Sequence, residues 1–226
     1  TSILPALAID STSGSGHVNK FAVSDTSVLG REVLAAGGFN FTLLDRARET
    51  IVKVPMPGKL AGNGQLPVFI AVAPVSNEKA KGFMAMNVSS LLWAPAGRWE
   101  QGWKQFSDVP ITAYALSDLD GDNCEELIFG CKDGFLRVYR VTDGEILNVV
   151  SSGSAPVAGL VALRDGRLVT ASRLGVALFD RNLRQQAFRG IQATDIVRLE
   201  RANEDIVCVS DNQGRIHALT PDTSLP

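Results

Sequence analysis

Apolar and polar residues alternate along the chain in short runs broken by Gly, Asn and Asp, which is typical of β-strands joined by tight turns. Five segments share one order: an apolar strand, a polar turn and a second alternating strand. These segments cover residues 33–45, 83–93, 127–139, 168–179 and 206–219. Their first residues are 50, 44, 41 and 38 positions apart. The pattern therefore predicts five β-hairpins at a nearly regular spacing.

Each hairpin is preceded by another strand-like run, and four of the five are followed by one. The preceding runs cover residues 18–24, 66–73, 111–117, 156–163 and 194–199, and the following runs cover 50–54, 98–106, 145–150 and 184–188. Units of four antiparallel strands, each about 40 residues long, are typical of β-propeller blades. We therefore predict an all-β fold, a β-propeller of about five four-stranded antiparallel blades. The predicted blades cover residues 18–58, 66–107, 110–151, 155–190 and 193–220.

The two ends of the chain suggest how such a ring closes. The fifth unit stops before a fourth strand, whereas residues 3–9 form a spare apolar run ahead of the first unit. We expect this N-terminal strand, residues 3–9, to pair with residues 215–219 and close the last blade, which removes an exposed sheet edge. Residues 1–226 then form a single β-propeller domain. The alternative is that the five units are part of a larger ring.

The composition narrows the class of function. The 226 residues are 45% hydrophobic and 20% charged with a formal net charge of −2, which disfavours disorder and a dedicated nucleic-acid or anionic-membrane binder. No apolar run is long enough for a membrane helix, so direct membrane insertion is not expected. Three cysteines without a CxxC pair and two distant histidines favour neither a disulfide scaffold nor a zinc site. Common nucleophile, metalloprotease and nucleotide-binding motifs are also missing.

One segment carries specific chemistry. Residues 118–127, DLDGDNCEEL, place carboxylates at positions one, three, five, eight and nine. Carboxylates that converge in a tight loop repel one another unless a cation neutralises them, and hard oxygen ligands favour Ca²⁺. The assigned ligands are the side chains of Asp118, Asp120, Asp122 and Glu126 and the backbone carbonyl of Cys124. An EF-hand is excluded because its twelfth position is Phe129. A solvated acidic turn without metal is the alternative.

Residues 114–140 resemble an FG-GAP repeat, the integrin α-type propeller unit that carries a DxDGDxxxE/D calcium loop. In that family the acids at loop positions one, three, five and nine bind the ion. The resemblance therefore implies Ca²⁺ as the cofactor, held by Asp118, Asp120, Asp122 and Glu126. Asn123 stands where the family commonly has Gly. Residues 134–147 and 214–222 also resemble pyrroloquinoline-quinone-type propeller repeats, which implies the architecture rather than a quinone cofactor.

A rigid ring with varied loops suits recognition of a partner. We therefore expect a non-catalytic binding or scaffolding module that recognises a protein or a glycan, with calcium stiffening one blade. All three tryptophans, Trp93, Trp99 and Trp103, lie within eleven residues. Tryptophan is favoured at binding hot spots and sugar-stacking platforms, so these residues are candidate partner contacts. Packing between blades is the alternative for them.

Two other functional classes stay open. A propeller enzyme, either a quinoprotein-like dehydrogenase or a hydrolase or lyase, would need acid–base groups on the inner strands. Those strands offer little beyond Asp195 and Arg198. The chain is alternatively a structural domain of a larger protein, with other domains as its partners. Because calcium loops of this kind saturate at the millimolar levels found outside the cytosol, we expect an extracytoplasmic location.

Overall fold

A computed structural model shows a chain of antiparallel β-sheets, and no helix occurs among the residues that it describes. The structure describes residues 18–23, 32–37, 40–45, 50–55, 69–76, 81–87, 90–95, 102–201 and 204–221. Within these ranges five sheets are formed, each from strands that are consecutive in the sequence. The predicted all-β class is confirmed. Residues 3–9 lie outside the described ranges, so closure of the last blade by this segment stays a prediction.

The sheets follow the order of the predicted units. Blade 1 consists of β1 (Val18–Val23), β2 (Glu32–Gly37), β3 (Asn40–Asp45) and β4 (Thr50–Pro55). Blade 2 consists of β5 (Phe69–Ser76), β6 (Lys81–Asn87), β7 (Ser90–Pro95) and β8 (Lys104–Phe106). Blade 3 consists of β9 (Ile111–Ser117), β10 (Glu126–Cys131), β11 (Phe135–Arg140) and β12 (Ile146–Ser151).

The last two sheets differ in the number of described strands. Blade 4 consists of β13 (Val157–Ala162), β14 (Leu168–Ser172), β15 (Val176–Phe179) and β16 (Gln185–Arg189). Blade 5 consists of β17 (Ala193–Arg201), β18 (Glu204–Asp211) and β19 (Ile216–Leu219). The first strands of blades 3, 4 and 5 contact one another in sequence order, as do those of blades 1 and 2.

The five described sheets share one irregularity in the pairing of their first two strands. After the first residue pair the register shifts by one residue, which leaves an extra residue on the first strand as a β-bulge. The extra residues are Asn19, Ile70, Thr112, Ala158 and Thr194. In blade 3 the bulged Thr112 donates its Oγ1 hydrogen to the carbonyl of Val157 over 2.6 Å. This hydrogen bond ties the first strands of blades 3 and 4 together.

Among the side chains that the structure describes, the hydrophobic core lies between neighbouring blades from blade 2 to blade 5. Blades 2 and 3 share a cluster in which the rings of Phe129 and Tyr139 pack edge to face, 5.4 Å apart. Blades 3 and 4 share a second cluster around Ile128 and Phe179, and blades 4 and 5 share a third around Val169 and Val207. Burying each large side chain contributes about 1.5 to 3 kcal/mol, so the inter-blade contacts hold the fold together.

Two glycines permit the closest approaches between blades. A methyl group at Gly130 of β10 would lie 2.4 Å from Cγ1 of Val157 in blade 4. A methyl group at Gly159 of β13 would lie 2.4 Å from Cγ2 of Ile196 in blade 5. Real side chains essentially never come that close, so a branched residue of the next blade fills the space that each glycine leaves.

Candidate cation site

The acidic segment connects β9 to β10 at one end of blade 3, as the sequence predicts. The Asp118 carboxylate organises the turn because it accepts three backbone hydrogen bonds. Its Oδ1 accepts from the amides of Gly121 at 2.7 Å and Asp122 at 3.1 Å, and its Oδ2 accepts from Asn123 at 3.0 Å. Asp120 Oδ1 also accepts from the Asp122 amide at 3.1 Å. Hydrogen bonds from backbone amides to these short acidic side chains thus hold the segment in a tight turn.

Two residues of the loop have left-handed backbone conformations. Gly121 has φ +80° and Asn123 has φ +62°. Glycine adopts this conformation without strain, and asparagine adopts it at moderate cost. Gly121 therefore makes the sharp turn of the loop. Asn123 stands where FG-GAP repeats commonly have Gly. Its positive φ is a backbone conformation that Gly adopts readily.

The loop brings three carboxylates together. One oxygen each of Asp118, Asp120 and Glu126 lie within 4.8 Å of one another. Glu126 is 4% exposed, and its Oε2 accepts a 2.8 Å hydrogen bond from the amide of Leu119. No described residue donates a hydrogen bond to its other carboxylate oxygen. Burial raises the pKa of Glu126 to about 7, and the nearby Asp120, Asp118 and Asp122 add to the increase.

The other two predicted ligands, Asp122 and Cys124, are joined to each other by a hydrogen bond. Asp122 is not part of the three-carboxylate cluster, and its Oδ1 accepts a 2.7 Å hydrogen bond from the Cys124 amide. The side chain of Cys124 is buried. Ligation by the Asp122 carboxylate and by the Cys124 carbonyl stays a prediction. Glu125 is not in the cluster, and burial, together with Asp118, raises the pKa of its carboxyl.

A basic residue of blade 4 lies beside the acidic loop, which sequence reasoning missed. A methyl group at Gly121 would lie 3.6 Å from Nη1 of Arg181. Nε of Arg181 donates a 2.5 Å hydrogen bond to the carbonyl of Asp165. A methyl at Gly166 would lie 2.6 Å from the same Nε and 3.1 Å from the Asp118 carbonyl oxygen. The loop therefore packs on the two turns of blade 4 that contain Gly166 and Arg181. Arg181 lies about sixty positions later in the sequence, and no sequence signal links it to the loop.

The donor set fits a hard divalent cation. All three clustered ligands are carboxylates, one of them buried with an oxygen that no described residue satisfies. Calcium prefers oxygen ligands in a flexible cage, and carboxylates this close repel one another unless a positive charge lies between them. If a cation binds, Asp118, Asp120 and Glu126 would hold it and the ion would join the two ends of the β9–β10 connection.

The tryptophans do not form one exposed surface. Trp93 is 3% exposed and belongs to the core between blades 2 and 3. Trp103 is half-buried, and its indole Nε1 donates a 2.6 Å hydrogen bond to the carbonyl of Val141. Trp99 lies outside the described residues. Both described tryptophans have a packing role, and partner binding through any of the three stays a prediction.

An open cavity of about 370 Å³ lies between the first strands of blades 3, 4 and 5. Its lining includes Tyr114, Leu160 and Arg198. The guanidinium of Arg198 donates to Asp205, Glu200 and the Ala162 carbonyl, so its charge is committed to ion pairs and hydrogen bonds. Strand alternation places Asp195 on the opposite face of β17 from Arg198. The two inner-strand residues with acid–base potential are therefore not brought together.

Comparison with known proteins identifies the class of fold. No protein-family model matches the chain, and no curated protein sequence matches it. The crystal structure of BBS1N in complex with ARL6DN, soaked with lead, is similar at TM-score 0.65 and 13% identity, covering 92% of this chain and 67% of that one. The Pan2 WD40 domain of Neurospora crassa is similar at TM-score 0.61 and 13% identity, covering 89% and 60%. Saccharomyces cerevisiae Sqt1 is similar at TM-score 0.64 and 12% identity, covering 90% and 59%.

These similarities show that the chain has a β-propeller fold, as the sequence predicts. At 12–13% identity they show the fold alone. The chain spans about three fifths of the length of the Pan2 and Sqt1 chains and about two thirds of BBS1N. Among the described residues there is also no helix with the length and apolar character needed to cross a lipid bilayer.

Proposed function

We propose that this chain is a non-catalytic binding or scaffolding β-propeller in which a calcium ion stabilises blade 3. The observation that carries the proposal is the convergence of Asp118, Asp120 and Glu126, whose carboxylate oxygens lie within 4.8 Å. Burial of Glu126 next to two aspartates is unfavourable without a counter-charge. The spacing of the acids and the left-handed Gly121 and Asn123 support an FG-GAP type of calcium loop.

The ion would act on stability rather than on a reaction. It would cross-link the Asp118 and Glu126 ends of an eight-residue connection that otherwise holds its acids together by backbone hydrogen bonds. Because a ligand that binds only the folded state stabilises that state, calcium would raise the free energy of unfolding. The loop also packs on blade 4 through Gly166, so its ordering would support the contact between the two blades.

The proposed partner is a protein. BBS1N, which has a similar fold, was crystallised in complex with ARL6DN. Propellers present loops of independent sequence at the ends of rigid sheets, which suits protein recognition. A glycan is the alternative partner, and an array of immobilised glycans probed with the calcium-loaded chain tests it. Selective binding on that array would contradict a purely protein-binding module. We place this module outside the cytosol, where millimolar calcium would occupy such a loop.

Thermal unfolding in CaCl₂ against chelator tests the calcium site. At a hundredfold excess of calcium over Kd, the melting temperature of the wild type rises by roughly 5–10 °C. Asp120→Ala abolishes the increase, because it removes one of the clustered carboxylates. Asp108→Ala removes an exposed acid outside the loop and serves as the matched control, which keeps the increase. A wild-type melting temperature that calcium leaves unchanged, or an increase that survives Asp120→Ala, overturns the proposal.

A further inference from the structure

Arg181 of blade 4 lies close to the acidic loop without forming an ion pair with any described residue. Its side chain is exposed, and its Nη1 would lie 3.6 Å from a methyl group at Gly121. The Gly121 amide in turn donates a 2.7 Å hydrogen bond to Oδ1 of Asp118. Together with standard bond lengths, these two distances place Nη1 of Arg181 within about 9 Å of that oxygen.

Contacts with a turn of blade 4 hold Arg181 in this position. Its Nε donates a 2.5 Å hydrogen bond to the carbonyl of Asp165. A methyl group at Gly166 would lie 2.6 Å from that Nε and 3.1 Å from the carbonyl oxygen of Asp118. The missing side chain at Gly166 therefore lets the guanidinium and the acidic loop pack on the same turn. None of these contacts involves a cation.

The carboxylates on the same turns of blade 4 have other partners. Oδ2 of Asp165 accepts a 2.6 Å hydrogen bond from Nε of Arg167. Oδ2 of Asp180 accepts a 2.9 Å hydrogen bond from the side-chain amide of Gln186. Neither carboxylate forms an ion pair with Arg181. The positive charge of Arg181 therefore acts on the acidic loop of blade 3 without being neutralised on its own blade.

This charge has opposite effects on the two states of the loop. A guanidinium stays protonated at every physiological pH, so its charge is permanent. It attracts the clustered carboxylates and repels a divalent cation held between them. A separation of at most about 9 Å is comparable with the screening length of about 8–10 Å at physiological ionic strength, so part of the interaction survives in salt. Arg181 therefore favours the loop without calcium over the loop with calcium.

We propose that Arg181 determines how tightly the acidic loop binds calcium, by stabilising the calcium-free loop and weakening binding of the ion. The inference rests on the proposed calcium site and adds the residue that tunes its affinity. Loops of this kind vary widely in affinity with the charge around the ion. A loop weakened by Arg181 fills only where calcium is abundant, in agreement with the location proposed above.

Calorimetric titration of residues 1–226 with CaCl₂ tests the role of the charge. At an ionic strength of roughly 20 mM, Arg181→Gln binds calcium roughly three- to tenfold more tightly than the wild type. At roughly 500 mM the ratio falls below about two, because salt screens the interaction. Arg181→Lys keeps the positive charge without the Nε hydrogen bond, and its affinity stays within about twofold of the wild type.

Arg173→Gln is the matched control. Arg173 is exposed in the turn between β14 and β15, at the opposite end of blade 4 from Arg181. Its substitution changes the net charge of the chain by the same amount as Arg181→Gln. The calcium affinity of this variant equals that of the wild type, since the lost charge lies far from the loop.

Melting temperatures in chelator give a readout that needs no calcium. There Arg181→Gln lowers the melting temperature, because a positive charge near the clustered acids is lost. The decrease is smaller in an Asp120→Asn background, in which the loop carries one negative charge less. Such non-additivity is expected only if the two side chains interact.

The outcomes separate this inference from the proposed calcium site. If neither the wild type nor any variant binds calcium, the site itself is wrong and the role of Arg181 fails with it. If all the proteins bind calcium with equal affinity, the site stands and only the role of Arg181 is overturned. Tighter binding by Arg173→Gln or by Arg181→Lys, to the same extent as by Arg181→Gln, also overturns it. So does strict additivity of Arg181→Gln and Asp120→Asn in chelator.

Discussion

The indole Nε1 of Trp103 donates a 2.6 Å hydrogen bond to the carbonyl of Val141, which joins the outer part of blade 2 to the turn between the last two strands of blade 3. The ring also lies on Gly144, where a methyl group would be 2.7 Å from Cδ2 of Trp103. Gln105 adds a 2.7 Å hydrogen bond to the Gly144 carbonyl. Trp103, which the sequence suggests as a candidate partner contact, therefore connects blades 2 and 3 in this structure.

Removing this donor destabilises the fold. Trp103→Phe keeps an aromatic ring but leaves the carbonyl of the buried Val141 without its partner, which lowers the free energy of unfolding by about 1–2 kcal/mol. Urea unfolding followed by circular dichroism measures the change. Asp108→Ala, at an exposed position that follows β8, changes stability by less than about 0.5 kcal/mol. Equal effects of the two substitutions would show that the indole hydrogen bond contributes nothing.

Gly159 cannot carry a side chain while Ile196 keeps its position. Gly159→Ala places a methyl 2.4 Å from Cγ2 of Ile196 and lowers the free energy of unfolding by about 1–3 kcal/mol. Ile196→Ala alone creates a cavity between blades 4 and 5, but it also makes room for the new methyl. The double variant is therefore more stable than the sum of the two single effects.

Gly190→Ala is the matched control for this pair. A methyl group there meets no atom within 4 Å, so stability changes by less than about 0.5 kcal/mol. All four proteins are compared by urea unfolding. Strict additivity of Gly159→Ala and Ile196→Ala would show that the two residues do not share the space that the structure assigns to them.

Asp211 makes the stability of blade 5 dependent on pH. Its buried carboxylate accepts hydrogen bonds from His217 Nε2 at 2.8 Å and from Arg215 Nε at 2.7 Å. These contacts, with the His217 bond as the largest cause, hold the pKa of Asp211 far below its usual value. A lowered folded-state pKa stabilises the fold above the unfolded-state value of about 3.9, and this stabilisation is lost as the pH falls further.

Asp211→Asn therefore removes part of the acid sensitivity. Its free energy of unfolding is lower than that of the wild type at pH 7, and the difference shrinks as the pH falls below about 4. Asp108→Asn removes an exposed acid outside blade 5 and is the matched control. Urea midpoints measured from acid to neutral pH give the comparison. A constant difference between Asp211→Asn and the wild type at all pH values would contradict the assignment.

Glu126→Gln separates cation binding from folding. The substitution keeps the shape of a side chain that is 4% exposed, but removes the charge that burial and three neighbouring aspartates disfavour. In chelator the variant is at least as stable as the wild type, because the penalty of a buried carboxylate is gone. In calcium it shows no increase in melting temperature, since a ligand of the cluster is lost.

Two measurements decide this prediction. Melting temperatures in chelator and in CaCl₂ give the stabilities, and calorimetric titration with CaCl₂ gives the binding. A Gln variant that still binds calcium with wild-type affinity would remove Glu126 from the ligand set. A variant that is clearly destabilised in chelator would instead give the carboxylate a structural role through its hydrogen bond to Leu119.

Local patterns were enough to predict the sheets. Alternation of apolar and polar residues marks β9 and its hairpin partners, because each strand presents one set of side chains to each neighbouring blade. The turn at Gly121 and Asn123 was predictable for a similar reason, since left-handed backbone is confined to few residue types. Proximity of Asp118, Asp120 and Glu126 follows from the tightness of one short loop.

Contacts between blades were not predictable in this way. Arg181 reaches the acidic loop only because two turns of blade 4 pack on it, which no spacing in the sequence encodes. Clustering of Trp93 and Trp103 along the chain left partner binding and packing between blades open, and it did not reveal that both residues contact blade 3. Likewise, the pairing of Asp211 with His217 depends on which faces of β18 and β19 carry them.

The bulge shared by all five described sheets supplies a common numbering for the repeats. Counted from Thr112, Ala158 and Thr194, the first strand continues for five, four and seven residues in blades 3, 4 and 5. The connection to the second strand comprises residues 118–125 in blade 3 and 163–167 in blade 4. Blades 3 and 4 thus join corresponding strands by connections of different length and charge. Because Glu126 is the first residue of β10, moving cation dependence to blade 4 would require grafting residues 118–126 between Ala162 and Val169, which replaces Leu168 of β14 by the ligand glutamate.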